Sequence, residues 1–225
     1  MKRLTASFAA ASLAILAFAP PAFAEEPVNA PAPKRIAKEG AGLKTAIFAG
    51  GCFWGVEGVF SHVKGVKSAV SGYHGGKSAT AKYNTIITGT TNHAEAVKIT
   101  YDPYVVRYDE LLRIFFSVVA DPTLRNRQGP DVGPHYRTAL VPMSSEQQAV
   151  ASAYLKQMGS SRVWKKPIVT RIERYRKFFP AETYHQDFMA KNPRHGYILR
   201  WDAPKVRALK AMFPSDYKPT FLRDG

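Results

Sequence analysis

The sequence predicts an α+β fold, a ferredoxin-like two-layer sandwich with long loops and an irregular C-terminal segment. Three observations predict it. Apolar or alternating runs interchange with helical periodicity in the order strand, helix, strand, strand, helix, strand, which is a split βαβ pattern. Glycine and proline clusters punctuate those runs. A chain of 225 residues with 45% hydrophobic content is long enough to bury one core.

The elements follow in order. Residues 43–49 form a short apolar run that ends in Gly50-Gly51, as suits a buried strand entering a sharp turn. From Phe53 onward, Val56, Val59, Phe60 and Val63 recur at spacings of three and four and share a helix face, and Gly65 stops the helix. Residues 66–70 read as a second strand and 72–81, rich in glycine and small residues, as a loop. Residues 94–101 alternate, with Glu95, Val97, Ile99 and Tyr101 on one side, and Asp102-Pro103 ends that strand. Leu111, Leu112, Phe115, Phe116 and Val119 mark a second helix, ended by Asp121-Pro122. Residues 125–136 read as a loop and 138–141 as a short strand. Ser144 with Gln147 three residues on is a capping box for a helix to about Met158. A strand at 168–172, an irregular stretch to Trp201 and a short helix at 204–213 complete the chain.

The N-terminus stands outside this fold. Lys2-Arg3, an apolar run and the small-residue exit Ala22-Phe23-Ala24 predict a signal peptide over residues 1–24, and thus an exported chain, periplasmic or secreted, with no stable membrane insertion after cleavage. Residues 25–42, with Pro27, Pro31 and Pro33, predict a flexible leader, and 43–225 the folded catalytic domain. The formal charge of +15 suggests nucleic acid in an intracellular protein. In an exported one it reads as a solvated basic surface, with no nucleic-acid partner. Nothing demands more than a monomer. The six histidines show no ligand spacing, and Gly72 to Gly76 match no phosphate loop, so neither a metal nor a bound cofactor is expected.

Exported proteins pair their cysteines or lack them, whereas this chain has one. Cys52 follows the two glycines at the first turn of a helix, where free N–H groups and the helix dipole favour an anion. Position alone can therefore activate it as a thiolate; the alternative is a small buried residue at a tight turn. Glu95 lies on the more apolar strand face, where lost hydration raises a carboxyl pKa and leaves an acid able to donate a proton at neutral pH. The alternative is a strand-end glutamate curling into solvent or pairing with a base. Phe53 and Trp54 adjoin the cysteine; one or both line an apolar pocket at the sulfur, or they are core. Tyr83, Tyr136 and Tyr184 are phenols in loop-like segments.

These residues reach a family. The run Gly51-Cys52-Phe53-Trp54-Gly55-Val56-Glu57 resembles the signature of the type A peptide-methionine sulfoxide reductases. The resemblance continues through Gly72-Tyr73-His74-Gly75-Gly76, Tyr83, His93-Ala94-Glu95, Tyr101-Asp102-Pro103 and Asp121-Pro122-Thr123. It extends over Arg127 to Gly133, Tyr136-Arg137 and Ala181 to Gln186, in one order. It implies that Cys52 is the nucleophile, that Glu95 protonates the sulfoxide oxygen and that Tyr83 and Tyr136 hydrogen-bond it. It implies further that Phe53 and Trp54 hold the substrate methyl, that Asp131 orients substrate through water, and that Tyr184 and His185 support the site. The S epimer of methionine sulfoxide, free or in oxidised proteins and peptides, would be reduced and Cys52 would become a sulfenic acid.

Two departures stand out. Many relatives carry C-terminal cysteines that trap the sulfenic acid, and residues 187–225 have none, so an external thiol must regenerate Cys52. A thioredoxin-like protein, glutaredoxin or glutathione, or dithiothreitol would serve. Ala120 stands where relatives often have histidine. Two other classes compete: a thiol peroxidase, which needs no methyl pocket, and a basic binding protein, in which Cys52 would be inert.

Overall fold

The computed structural model describes residues 26–223, and the expected signal peptide lies outside the described residues. A six-stranded sheet carries the order β7-β6-β1-β3-β2-β8. Its strands are β1 (Lys44–Gly50), β2 (Val66–His74), β3 (Ala94–Tyr101), β6 (Thr138–Val141), β7 (Arg171–Ile172) and β8 (Phe178–Pro180). Every neighbouring pair is antiparallel except β6 with β7. A two-stranded hairpin, β4 (Arg127–Gln128) with β5 (Asp131–Val132), stands apart from it. The helices are α1 (Phe53–Ser61), α2 (Tyr83–Ile86), α3 (Tyr108–Ile114), α4 (Ser145–Ser160), α5 (Phe188–Lys191) and α6 (Ala203–Met212).

Strand alternation divides the interior. Phe48, Val97, Ile99, Tyr101 and Leu140 face the main core with α1, α3 and α4, whereas Ile47, Ala49, Ala94, Ala96, Ala139 and Val141 form a smaller cluster under Phe178. Phe48 is central, its ring 5.0 Å from Phe60 and 5.2 Å from Phe115. Truncation of a buried phenylalanine of this kind costs about 3–5 kcal/mol. By the same parity Glu95 points to the helix layer, toward α1.

The differences from the sequence reading have local causes. β2 runs on through Gly72 to His74, where a loop is expected, because β8 supplies an edge partner. A Cβ at Gly72 would lie 2.4 Å from the Phe179 carbonyl oxygen, so only glycine admits that close approach. The second helix closes with a π turn at Phe115–Val119. The strand expected at 168–172 shortens to the two residues of β7. The irregular stretch holds β8, α5 and a second π turn at Ile198–Asp202. Ser144 does cap α4, its side chain accepting from the Gln147 N–H at 3.1 Å. Gln147 reaches past the cap, however, to accept from the Met143 N–H at 2.8 Å.

The leader needs correction. Residues 26–42 have no regular element, but they are docked on α3 and α4 rather than free. Ala30 and Ala37 are buried. The Ala37 N–H donates to Asp109 at 2.9 Å, Tyr154 Oη donates to the Pro31 carbonyl at 2.8 Å, and Tyr101 Oη donates to Glu39 at 2.6 Å. Each bond satisfies a polar group that burial would otherwise leave costly.

Candidate active site

The turn from β1 into α1 places the cysteine. Gly51 has φ +85°, and a Cβ there would sit 2.6 Å from Gln128 Cβ, so both backbone and space demand glycine. Cys52 is the N-cap of α1 and is buried, 8% exposed. The next N–H, that of Phe53, donates to Glu95 Oε2 at 3.0 Å. One of the free donors of the helix start thus serves the carboxyl.

The electrostatics correct one expectation. Burial pushes the Cys52 thiol well above its usual value, and the nearby Asp202, Glu95 and Asp131 carboxyls push the same way; only the Trp54 N–H opposes them. The helix start does not ionise the resting sulfur, because lost hydration and three carboxyls outweigh it. Glu95 behaves as expected: burial raises it to about 8 despite the Phe53 hydrogen bond, which leaves it protonated at neutral pH.

Two phenols face these groups. Tyr83 opens α2, its N–H donating to Glu182 Oε1 at 2.9 Å while Tyr73 Oη donates to Glu182 Oε2 at 2.7 Å. Tyr136 closes a short 3-10 turn, Pro134–Tyr136. Burial first, then the charges of Glu95 and Cys52, raise Tyr83 to about 12 and Tyr136 further. Both stay neutral donors. Arg137 fixes the second phenol: its guanidinium donates to the carbonyls of Pro134, His93 and Asn92 at 3.1 Å and to Glu173 Oε1 at 2.7 Å. The turn that carries Tyr136 is thereby tied to the residues leading into Glu95. A cleft of about 380 Å³ lined by Arg137, Arg171, Glu173, Arg174 and Arg176 adjoins this clamp, away from Cys52.

The aromatic residues divide. Phe53 is buried against Tyr73 and His185, with centroids at 5.9 and 5.0 Å. Trp54 is half-buried, stacks on Phe188 at 3.7 Å and donates Nε1–H to His185 Nδ1 at 3.1 Å. Because indole only donates, Nδ1 accepts and the ring proton of neutral His185 sits on Nε2. Burial lowers the His185 pKa, in keeping with the neutral form. Tyr184 lies outermost, 58% exposed, its ring 4.2 Å from that of His185.

Asp131 on β5 accepts a short hydrogen bond from Tyr197 Oη. Tyr197 immediately precedes the second π turn, and Asp202 ends it; both lie near enough to Cys52 to alter its charge balance or feel it. The sequence reading missed both residues. Nothing periodic marks 197–202, and Asp202 before Ala203-Pro204 reads as an ordinary helix start. Ala120 packs its methyl 3.2 Å from where a Cβ on Gly50 would sit, at the base of the cysteine turn. Among the described residues, no cluster of three or more histidine, cysteine or carboxylate side chains is arranged to hold a metal.

Comparison with known proteins bears on this geometry. The sequence model of the family described as peptide methionine sulfoxide reductase matches residues 44–216. The chain is 52% identical over 187 residues to peptide methionine sulfoxide reductase MsrA 2 of Mesorhizobium japonicum, which covers 82% of this chain and 96% of that protein. It is 44% identical over 174 residues to the Deinococcus radiodurans MsrA, covering 77% and 84%. Among solved structures, reduced Mxr1 from Saccharomyces cerevisiae matches with TM-score 0.61 and 32% identity over 72% of this chain and 92% of that one. Methionine sulfoxide reductase A of Corynebacterium diphtheriae matches with TM-score 0.58 and 30% identity, over 68% and 77%.

Proposed function

This chain belongs to the peptide methionine sulfoxide reductase family and reduces methionine sulfoxide to methionine, and we propose a division of labour among its residues. Tyr83 and Tyr136 hydrogen-bond the sulfoxide oxygen while Glu95 gives it a proton, relieving its negative charge as the Cys52 sulfur attacks the sulfoxide sulfur. The oxygen passes to Cys52 as a sulfenic acid and methionine leaves. Trp54, with Phe53 behind it, holds the substrate methyl; Asp131 orients the substrate, and His185 fixes Trp54, with Tyr184 at the rim. The observation that carries this reading is the buried Glu95 carboxyl bonded at 3.0 Å to the peptide N–H beside Cys52.

The S epimer is the substrate, by the resemblance of the signature around Cys52 to type A members. An external thiol regenerates Cys52, in one step to a mixed disulfide and water and in a second to the free thiol. The support is composition: Cys52 is the only cysteine. A thioredoxin-like protein or glutathione supplies that thiol. The order β6-β1-β3-β2, antiparallel throughout, supports the ferredoxin-like description. The basic, apolar and small-residue succession of residues 1–24 supports export.

The test is turnover on separated S and R epimers of a blocked methionine sulfoxide with dithiothreitol as reductant and Cys52→Ser as control. Consumption of the S epimer alone, lost in the variant, is the expected outcome. Consumption of the R epimer, or turnover that survives Cys52→Ser, overturns the reading.

A further inference from the structure

Glu95 gives a proton to the sulfoxide, but no group assigned above takes one from Cys52, whose burial keeps it a thiol. We propose that Asp202 is a second catalytic carboxyl, the general base that accepts the Cys52 proton as the sulfur attacks. The proposal rests on the reductase reading.

The placement comes first. Asp202 is fully buried and ends the π turn that leads into α6. A Cβ at Gly55 would lie 2.2 Å from Asp202 Oδ1, so glycine alone lets the carboxyl rest on the first turn of α1. Gly55 is three residues beyond Cys52 and therefore on the same side of that turn. Asp202 stands at the start of α6 yet makes no side-chain capping bond there, so the usual use of aspartate at such a position is not served. Its Oδ1 faces Lys205 Nζ at 3.4 Å, while its Oδ2 is buried with no hydrogen-bond partner among the described residues. A buried acceptor oxygen with nothing to accept, on a carboxyl that packs against the first turn of α1, is suited to a proton that arrives only during reaction.

The charges agree. Asp202 acts on Cys52 more strongly than Glu95 or Asp131 does. The titratable groups that face it are Cys52 from α1, Asp131 from β5, Glu95 from β3, Tyr197 from the residue before the π turn, and Lys205 from α6. Burial raises Asp202 to about 6, with Lys205 opposing, whereas Glu95 stands at about 8. At neutral pH one carboxyl is a base and the other an acid, which is the arrangement that divides roles between two like groups. The step balances. The thiol proton goes to Asp202, the Glu95 proton goes to the sulfoxide oxygen, and that oxygen ends on Cys52 as methionine leaves. Asp202 is then protonated and Glu95 ionised, and one proton passed between them through solvent restores the start.

The experiment measures two rates on the same proteins: the single-turnover burst of methionine from an S sulfoxide without reductant, and Cys52 alkylation by iodoacetamide, each against pH. In the unaltered protein the burst rate falls on the acid side near pH 6. Asp202→Asn slows the burst by about 10²-fold or more and removes that acid limb. The same variant alkylates faster at pH 7, because a negative charge beside the sulfur is gone. Lys205→Met, which leaves the base in place, moves the acid limb to higher pH and carries the test if Asp202→Asn does not fold. A burst in Asp202→Asn that is unchanged or faster, or an acid limb that stays put in Lys205→Met, overturns the proposal. A missing burst in the unaltered protein would instead overturn the reductase reading itself.

Discussion

The Phe53 N–H and the Glu95 carboxyl oxygen lie 3.0 Å apart, so the carboxyl proposed as the proton donor is fastened to the peptide that follows Cys52. The bond fixes distance without ionising the acid, because burial still holds Glu95 near 8. A proton donor works only while protonated, so the alkaline side of the profile should fall as pH rises through about 8. Glu95→Gln keeps the shape and a partner for the Phe53 N–H but has no proton to give. It should lose about 10²–10⁴-fold in sulfoxide turnover, with Cys52 still open to alkylation. An alkaline limb that survives unchanged in Glu95→Gln would assign the titration elsewhere.

Glu57, one turn beyond Cys52 on α1, makes an independent prediction. It is 1% exposed, neither carboxyl oxygen has a well-formed hydrogen bond, and burial raises it from 4.5 to about 8. A carboxyl raised in the folded state contributes stability that is complete below its unfolded value and is lost as pH rises through the folded one. Stability should therefore decline between about pH 4.5 and 8. Glu57→Gln removes the charge that must form. Its melting temperature relative to the parent should rise between pH 5 and pH 9 by about 2–4 °C for each kcal/mol relieved. Parallel melting curves over that range would refute this.

The opposite sign holds at Glu173. Burial alone would raise it, but hydrogen bonds from His74 and Arg137 and the Arg137 charge take it down to about 2. Its contribution is full above pH 4.5 and disappears as pH falls toward 2. Glu173→Gln leaves the Arg137 guanidinium buried without its counter-charge, and should cost about 3 kcal/mol at pH 7. Thermal unfolding should show that gap closing toward pH 2. Because Arg137 also holds the turn of Tyr136, kcat should fall more than KM rises.

How much was legible follows from how far apart the partners lie. The strand alternation over 94–101 was enough to turn Glu95 toward the helices, and Gly50-Gly51 before a periodic run was enough to set Cys52 at a helix start. The sign of the thiol shift was not legible. It depends on Asp131 and Asp202, and no local pattern announces that a loop and a π turn will converge on α1. The docked leader escaped for the same reason, since Pro27, Pro31 and Pro33 describe an extended chain without naming what it lies on. Edge strand β8 and the extra length of β2 specify each other, and neither run is periodic enough alone to be read as strand.

The leader gives the last prediction. Glu39 accepts from Tyr101 Oη at 2.6 Å and from Gln147 Nε2 at 3.0 Å, two groups that belong to β3 and α4. Arg35, four residues earlier, makes only a surface pair with Glu146 at 2.9 Å, with side chains 48% and 28% exposed. A buried polar group stripped of its partner costs about 1–3 kcal/mol, whereas an exposed ion pair contributes about 0–1 kcal/mol. Glu39→Ala should therefore lower the melting temperature by several degrees and Arg35→Ala hardly at all. Equal effects would mean that the leader is held by its charges, and no effect from either that its docking adds nothing to stability. Turnover with small sulfoxides should survive Glu39→Ala at temperatures where the protein stays folded, because the Glu39 network lies on the α3 and α4 side of the core, remote from Cys52.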